Sequence, residues 1–332
     1  MSAVRRPGPG ARARRPAAPP VALLVALPVV VALLGGSAAT RVDTASSSPA
    51  GTTTATSSTT TGTTATSSTA TTATTAPDPA GPPTRAAVQD RVVPVDTGAV
   101  LAAVDAAAAT ARGSVALAVV GPGGEDVVTG PAAGEAVPTA SLVKLLVVGR
   151  LLQLGAEGAV TLTGTDLGRM ERAVVRSDDT AMSLLWDRFG GAALVTDAAA
   201  AAGLSATAPP AEAGQWGEAT TSAADVARLL AGLETTFGAG PAQTLLGWMR
   251  ATSATAADGF SQAFGLLAGT SGVAAKQGWM CCVGGTRQLH SAGVLADGTV
   301  VVLLGDFPAS TSWGRARTAL DTAAAAVLAA LA

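Results

Sequence analysis

The stretch PTASLVKLLVV, Pro138 to Val148, continues as apolar residues to Leu154 and sets the tightest limit on the fold. Its leucines and valines surround the helix instead of lining one stripe, and a helix that is apolar all round must be covered on every side. The chain therefore needs more than one layer of structure around this segment. Lys144 contradicts that environment. Taking an ammonium out of water is costly, and the cost is usually relieved by loss of the proton. Among 21 Lys+Arg, only Lys144 and Lys276 are lysines. On a surface either cation serves, so a lysine retained in an arginine-biased chain marks a position that needs an amine able to become neutral. Ser141 lies three residues before Lys144, a spacing that puts both on one helix face.

The rest of the sequence divides into three parts. Residues 1–39 carry Arg5, Arg6, Arg12, Arg14 and Arg15, then the apolar run Val21 to Leu34 and the small residues GGSAA. This is the form of an export signal cleaved after Ala39, or of a retained membrane anchor. No cysteine follows the run, so no lipoprotein cleavage site is read there. Residues 40–86 are a Ser/Thr/Ala/Pro-rich linker without the apolar residues needed to offset the entropy of ordering. Residues 87–332 form the globular domain. The expected location is extracytoplasmic, secreted or anchored and facing the cell wall, with the N-terminal segment as the sole membrane contact.

Charge and side-chain inventory exclude several function classes. A net charge of -2, with the arginines concentrated at the N-terminus, gives no basic field for nucleic acid. One histidine, His290, and two adjacent cysteines, Cys281 and Cys282, give no metal-ligand cluster, so neither a metal nor a cofactor is implied. Neighbouring cysteines cannot close a long loop, and small buried thiols are expected rather than a bridge. His290 falls in the alternating run TRQLHSAGVL, a half-buried strand. The domain is expected to be a monomer.

Periodicity predicts a helix over 99–111, two strands around GSVALAVVGP and GGEDVV, and helices over 166–176, 180–189, 191–202, 222–233 and 241–251. Ser222 and Asp225 have the spacing of a capping box. TSGVAAKQGWM, GTRQLHSAGVLA and TVVVLLGDF read as three strands, the last two joined at Asp297-Gly298, before a helix over 315–331. Strands at both ends of the chain with helices between them predict an α+β fold, an antiparallel sheet flanked by N- and C-terminal helices plus an all-helical lobe.

Three short motifs then occur in a telling order: SLVK (Ser141 to Lys144), SDD (Ser177 to Asp179) and KQG (Lys276 to Gly278). The set resembles the SxxK, SDN and KTG signatures of the serine β-lactamases and penicillin-binding proteins, most closely class A. SDDTAMSLLWDRFGG and ATTSAADVARLL resemble the class A sequence around and after the second motif, and the likeness covers residues 97 to 332. It implies the class A β-lactamase-like fold. It also implies Ser141 as nucleophile, Lys144 as a neutral base, Lys276 as a second cation and Ser177 as a proton relay to the leaving group. The backbone N–H groups of Ser141 and Trp279 would hold the oxyanion. Asp179, Gln277, Gly278 and Arg287 would contact substrate, Arg287 by its fork on a carboxylate.

The departures are equally informative. Asp179 replaces the amide of SDN, and Gln277 the hydroxyl of KTG. The segment between the first two motifs is short. The loop SATAPPAEAGQWGEATTS offers only Glu212 and Glu218, neither at the spacing of the class A glutamate that directs the deacylating water. The sequence thus predicts an exported serine hydrolase forming an acyl-enzyme with a β-lactam or a peptidoglycan-derived peptide. A DD-peptidase or esterase, and a catalytically silent module that binds peptidoglycan or a protein partner, are the alternatives.

Overall fold

The computed structural model describes residues 95–332; the predicted export segment and linker lie outside the described residues. Helix α1 (Thr97–Thr110) leads into strands β1 (Ser114–Val120), β2 (Asp126–Thr129) and the short β3 (Val137–Pro138). A 3₁₀ turn, Ala140–Leu142, runs straight into α2 (Val143–Ala156), followed by α3 (Gly164–Val175), α4 (Asp179–Phe189) and α5 (Gly191–Ala202). After a loop come β4 (Thr220–Thr221), α6 (Ala223–Ala231), α7 (Leu233–Phe237) and α8 (Ala239–Arg250). Strands β5 (Ala274–Val283), β6 (Thr286–Val294) and β7 (Val300–Pro308) and helix α9 (Trp313–Leu331) complete the domain. No helix among the described residues is long and apolar enough to cross a membrane.

The five long strands form one antiparallel sheet in the order β2-β1-β7-β6-β5, so strands from both ends of the chain share it. Successive strand residues point to opposite faces. On β7, Val301, Leu303 and Phe307 enter the core beneath α1 and α9, while Val300, Val302 and Leu304 enter the core of the helical lobe. Both faces are covered, which is why VVVLL reads as a continuous apolar run. The α+β arrangement is the one that the element pattern predicts.

Helix α2 is the axis of the lobe. Val143 to Gly149, Leu151 and Leu152 are all buried, as its apolar circumference requires. Each large aliphatic side chain so enclosed contributes about 1.5–3 kcal/mol relative to exposure. Gly149 lets α2 lie against the Phe237 ring, which a Cβ would strike. On β5, alternation decides what each side chain can reach: Lys276 shares the lobe face with Ala274, and Gln277 shares the α9 face with Ala275.

Two details differ from the sequence reading. Ser222 caps α6 by accepting from Asp225 N, but the Asp225 carboxylate does not return to close a box. It accepts instead from Ser205 N, Ala206 N and Thr207 Oγ1, anchoring the start of the loop that precedes β4. The strand that carries His290, expected to be half-buried, is buried on both faces from Gln288 to Gly293, and His290 Nε2 lies 2.9 Å from Pro138 O. Only a protonated Nε2 can bond that carbonyl, so this contact ties β6 to the approach to Ser141.

Burial disfavours the imidazolium and takes the His290 pKa from 6.5 to about 4, against the opposing pull of the bonds to Pro138 and Leu289. A base with a depressed folded-state pKa stabilises the fold fully above its unfolded pKa. That contribution is lost as pH falls from about 6.5 towards 4, because the unfolded chain takes the proton first. His290→Gln, which keeps an N–H donor, is expected to lose about 2 kcal/mol less than the parent between pH 7 and pH 5 in urea denaturation. Equal losses in the two proteins would contradict this.

Candidate active site

Three elements deliver the site: the 3₁₀ turn before α2, the α3–α4 junction and β5. Ser141 and Lys144 arrive together, with Lys144 Nζ 2.9 Å from Ser141 Oγ. The junction contributes Ser177, whose φ of +50° is unusual for a residue with a side chain, and Ala140 beside Ser141 has φ +46°. Backbone held in that region persists only where the surroundings over-determine it. From Ser177, the carbonyl O lies 2.8 Å and Oγ 3.3 Å from Lys144 Nζ. From β5, Lys276 Nζ donates to Ser177 Oγ at 2.8 Å and to Gln277 O at 2.6 Å. A continuous chain of polar contacts thus links Ser141 through Lys144 and Ser177 to Lys276, residues that are far apart in sequence.

Asp179, the first residue of α4, adds a carboxylate oxygen 2.6 Å from Lys144 Nζ. The pair is lopsided: the lysine side chain is 0% exposed and the aspartate 64%. Both lysines sit below the ordinary lysine range. For Lys144 the cause is burial, opposed chiefly by Asp179. Lys276 is pushed well below that range by burial and then by the charge of Lys144. Lys144 has the Asp179 carboxylate beside it, whereas the contacts of Lys276 are the Ser177 hydroxyl and the Gln277 carbonyl. Geometry accommodates a neutral Lys144 as well. Its closest neighbours, Asp179 Oδ1 and Ser177 O, only accept, so two amine N–H groups can point there and leave the lone pair towards Ser141.

Ser141 and Asp179 line a cavity of about 230 Å³ with Gln215, Trp216, Gly217, Trp279 and Met280. A larger groove, about 430 Å³, lies between β1–β2 and α6 and holds none of the predicted site residues. The loop before β4 covers the cavity. Its start is held by Asp225 and its end by Thr139 N donating to Ala219 O at 2.7 Å. Between them the Trp216 ring lies 4.9 Å from Lys144 Nζ, with Nε1 donating to Ser183 Oγ on α4. Sequence reasoning missed Trp216. The available signal was a large aromatic residue within an otherwise small, polar loop. Neither Glu212 nor Glu218 lines the cavity.

Two predicted substrate contacts are placed elsewhere. The Gln277 side chain, on the α9 face of β5, donates to Gln262 O and Phe264 O and is buried. Arg287 donates to Ala309 O at 2.6 Å and lies 4.4 Å above the Trp313 ring. That ring belongs to an aromatic ladder in which Phe260 meets Trp313 edge-on and stacks on Trp279 at 4.8 Å, so cation–π attraction holds the guanidinium away from the cavity. Gly278 packs against the turn before α2: a Cβ there would meet Thr139 O at 3.3 Å and Leu142 Cγ at 3.4 Å. Cys281 and Cys282, expected as separate thiols, are joined to each other just past Met280, their Cα atoms only 3.0 Å apart. Among the described residues no His/Cys/Asp/Glu group has the form of a metal site.

The sheet, the enclosed helix and the serine-lysine cluster define the class A β-lactamase fold. Solved structures of that kind include a β-lactamase from Chitinophaga pinensis (TM-score 0.56, 19% identity, 69% of this chain and 98% of that one). A class A β-lactamase from Bacteroides cellulosilyticus gives TM-score 0.58 at 15% identity, covering 71% of this chain and 98% of that one. A PBP-A variant solved as an acyl-enzyme with penicillin G gives 0.56 at 19%, covering 70% and 96%. Residues 168–330 match the model of the "Beta-lactamase enzyme family", a span that begins after Ser141 and Lys144. Over residues 168–330 the chain is thus similar to that enzyme family, and its fold is the class A β-lactamase-like one of the solved structures. It is also 37% identical over 166 residues, 48% of this chain, to the "Putative lipoprotein LppW" of Mycobacterium tuberculosis and of Mycobacterium bovis. The match spans about half the length of those curated relatives, 52%.

Asp179 is the largest influence that raises the Lys144 pKa, so Asp179→Asn is expected to move the rising limb of Ser141 reactivity to lower pH. The check is the rate of Ser141 modification by an uncharged fluorophosphonate across the pH range. An unmoved limb, or one shifted upward, would show that Asp179 does not control the amine.

Proposed function

We propose that the domain is a serine acyl-transfer hydrolase whose acylation machinery is complete and whose deacylation machinery is weak, acting on a β-lactam or a cell-wall peptide. The observation that carries this reading is the unbroken contact path Ser141–Lys144–Ser177–Lys276, enclosed at the edge of one cavity. Lys144 takes the proton from Ser141 Oγ as the oxygen attacks the acyl carbonyl. The resulting oxyanion is held by the backbone N–H groups of Ser141 and Trp279. The proton then passes from Lys144 through Ser177 Oγ to the departing atom, with Lys276 Nζ orienting that hydroxyl.

Hydrolysis of the ester needs a directed water. No glutamate of the loop reaches the cavity, and the Trp216 ring covers Lys144. Deacylation is therefore the slow step. The N-terminal arginines and apolar run, together with the name of the mycobacterial relatives, support a location outside the cytoplasm.

A second reading, a non-catalytic binding module, is favoured by one observation: the Lys144–Asp179 contact of 2.6 Å, which helps the amine keep its proton. Burst kinetics separate the two. With p-nitrophenyl acetate, the hydrolase reading predicts release of about one equivalent of nitrophenol per protein, then a slow steady state, with one acetyl group on Ser141 by peptide mass mapping. Ser141→Ala abolishes the burst, and Lys144→Arg, which keeps charge but not an accessible neutral form, slows it by about a hundredfold or more. A parent protein without a burst, indistinguishable from Ser141→Ala, would leave the binding module as the surviving reading.

A further inference from the structure

The cavity beside Ser141 has an unusual charge distribution for a site that acts on acyl compounds of the cell wall. Asp179 places a largely exposed carboxylate on its wall, with Oδ1 turned to Lys144. The cations that could meet a substrate anion are committed elsewhere. Lys144 and Lys276 are fully buried, their nitrogens surrounded by Ser141, Ser177, Asp179 and the Gln277 carbonyl. Arg287 is bound to Ala309 O and stacked on Trp313. The Gln277 amide points to the opposite side of β5. Asp258, exposed and accepting from Trp279 Nε1 at 3.2 Å, adds a second negative charge near β5. Trp216, Trp279 and Met280 supply the apolar remainder of the lining.

From this arrangement we infer that the site selects acyl donors that present a hydrogen-bond donor, an amide N–H or an ammonium, beside the scissile bond, and discriminates against donors that present a carboxylate there. A carboxylate entering the cavity is desolvated next to Asp179 and meets no free cation among the described residues. An ammonium or amide meets the Asp179 oxygen that faces solvent. The inference rests on the hydrolase reading and narrows it: the acyl donor is an amidated or amine-bearing peptide in preference to one with a free carboxylate.

Three hippuryl thioesters test it, differing only in the leaving thiol: thioglycolate, thioglycolamide and N,N-dimethylcysteamine, whose protonated tertiary amine keeps an N–H donor but cannot take the acyl group from sulfur. In each, Ser141 Oγ bonds to the thioester carbon and the C–S bond breaks. The serine proton travels through Lys144 to the departing sulfur, and water later releases hippurate, so the step needs no oxidant or reductant. The expected kcat/KM for the amide and the amine exceeds that for the carboxylate by at least about tenfold. In Asp179→Asn this ratio falls towards one, whatever happens to the absolute rates. Affinities of the same compounds for Ser141→Ala, measured by calorimetry, should follow the same order. If the parent protein cleaves none of them while Ser141→Ala keeps the preference, the selectivity stands and the hydrolase reading fails. A preference for the thioglycolate ester, or a ratio unchanged in Asp179→Asn, overturns the inference.

Discussion

Two ammonium-bearing side chains with no access to solvent are the constraint around which this domain is arranged. Lys144 and Lys276 are among its largest fully buried side chains, and each would carry a severe desolvation cost if left charged and unpaired. The fold answers with Ser141, Ser177 and Asp179 at hydrogen-bond distance and with a left-handed backbone at Ser177 that turns both its carbonyl and its hydroxyl towards the amines. Enclosing α2 on all sides buries Lys144. Bringing β5 to the sheet edge beside the turn before α2, where Gly278 permits close approach, buries Lys276. Structure and reactivity follow from the same enclosure.

Under the hydrolase reading proposed above, that enclosure leaves the two halves of acyl transfer unequally served. Everything needed to remove a proton from Ser141 lies within one set of contacts. The loop that would supply a water-directing acid instead brings an indole, pinned by Ser183 on one side and by the Asp225-anchored start of the loop on the other. Asp179 is the compromise between them: it offsets the burial of Lys144, yet it favours the protonated amine and sets the charge of the cavity wall.

Much of this was legible in the sequence where the signal is local. Ser141 and Lys144 are tied by helical spacing, the dual burial of β7 by its unbroken apolar run, and Ser177 and Lys276 by the order of motifs. Signals that depend on side-chain direction or on distant partners were not so readable. Strand alternation alone could have turned Gln277 away from Lys276. The capture of Arg287 depends on Trp313 and Phe260, which no motif connects to it. Asp225 has the spacing of a cap partner, but three donors across the loop compete for its carboxylate and win. Trp216 reaches the site only because the folded loop carries it over Lys144.

The central claim is that burial holds these lysines below the ordinary range, and the sequence offers a direct way to measure it. Because Lys144 and Lys276 are the only lysines in the chain, metabolic labelling with ε-¹³C lysine yields two signals, assignable through Lys276→Met. The account predicts that both titrate below the ordinary lysine value of 10.5. Two signals that titrate together at the ordinary value would contradict it.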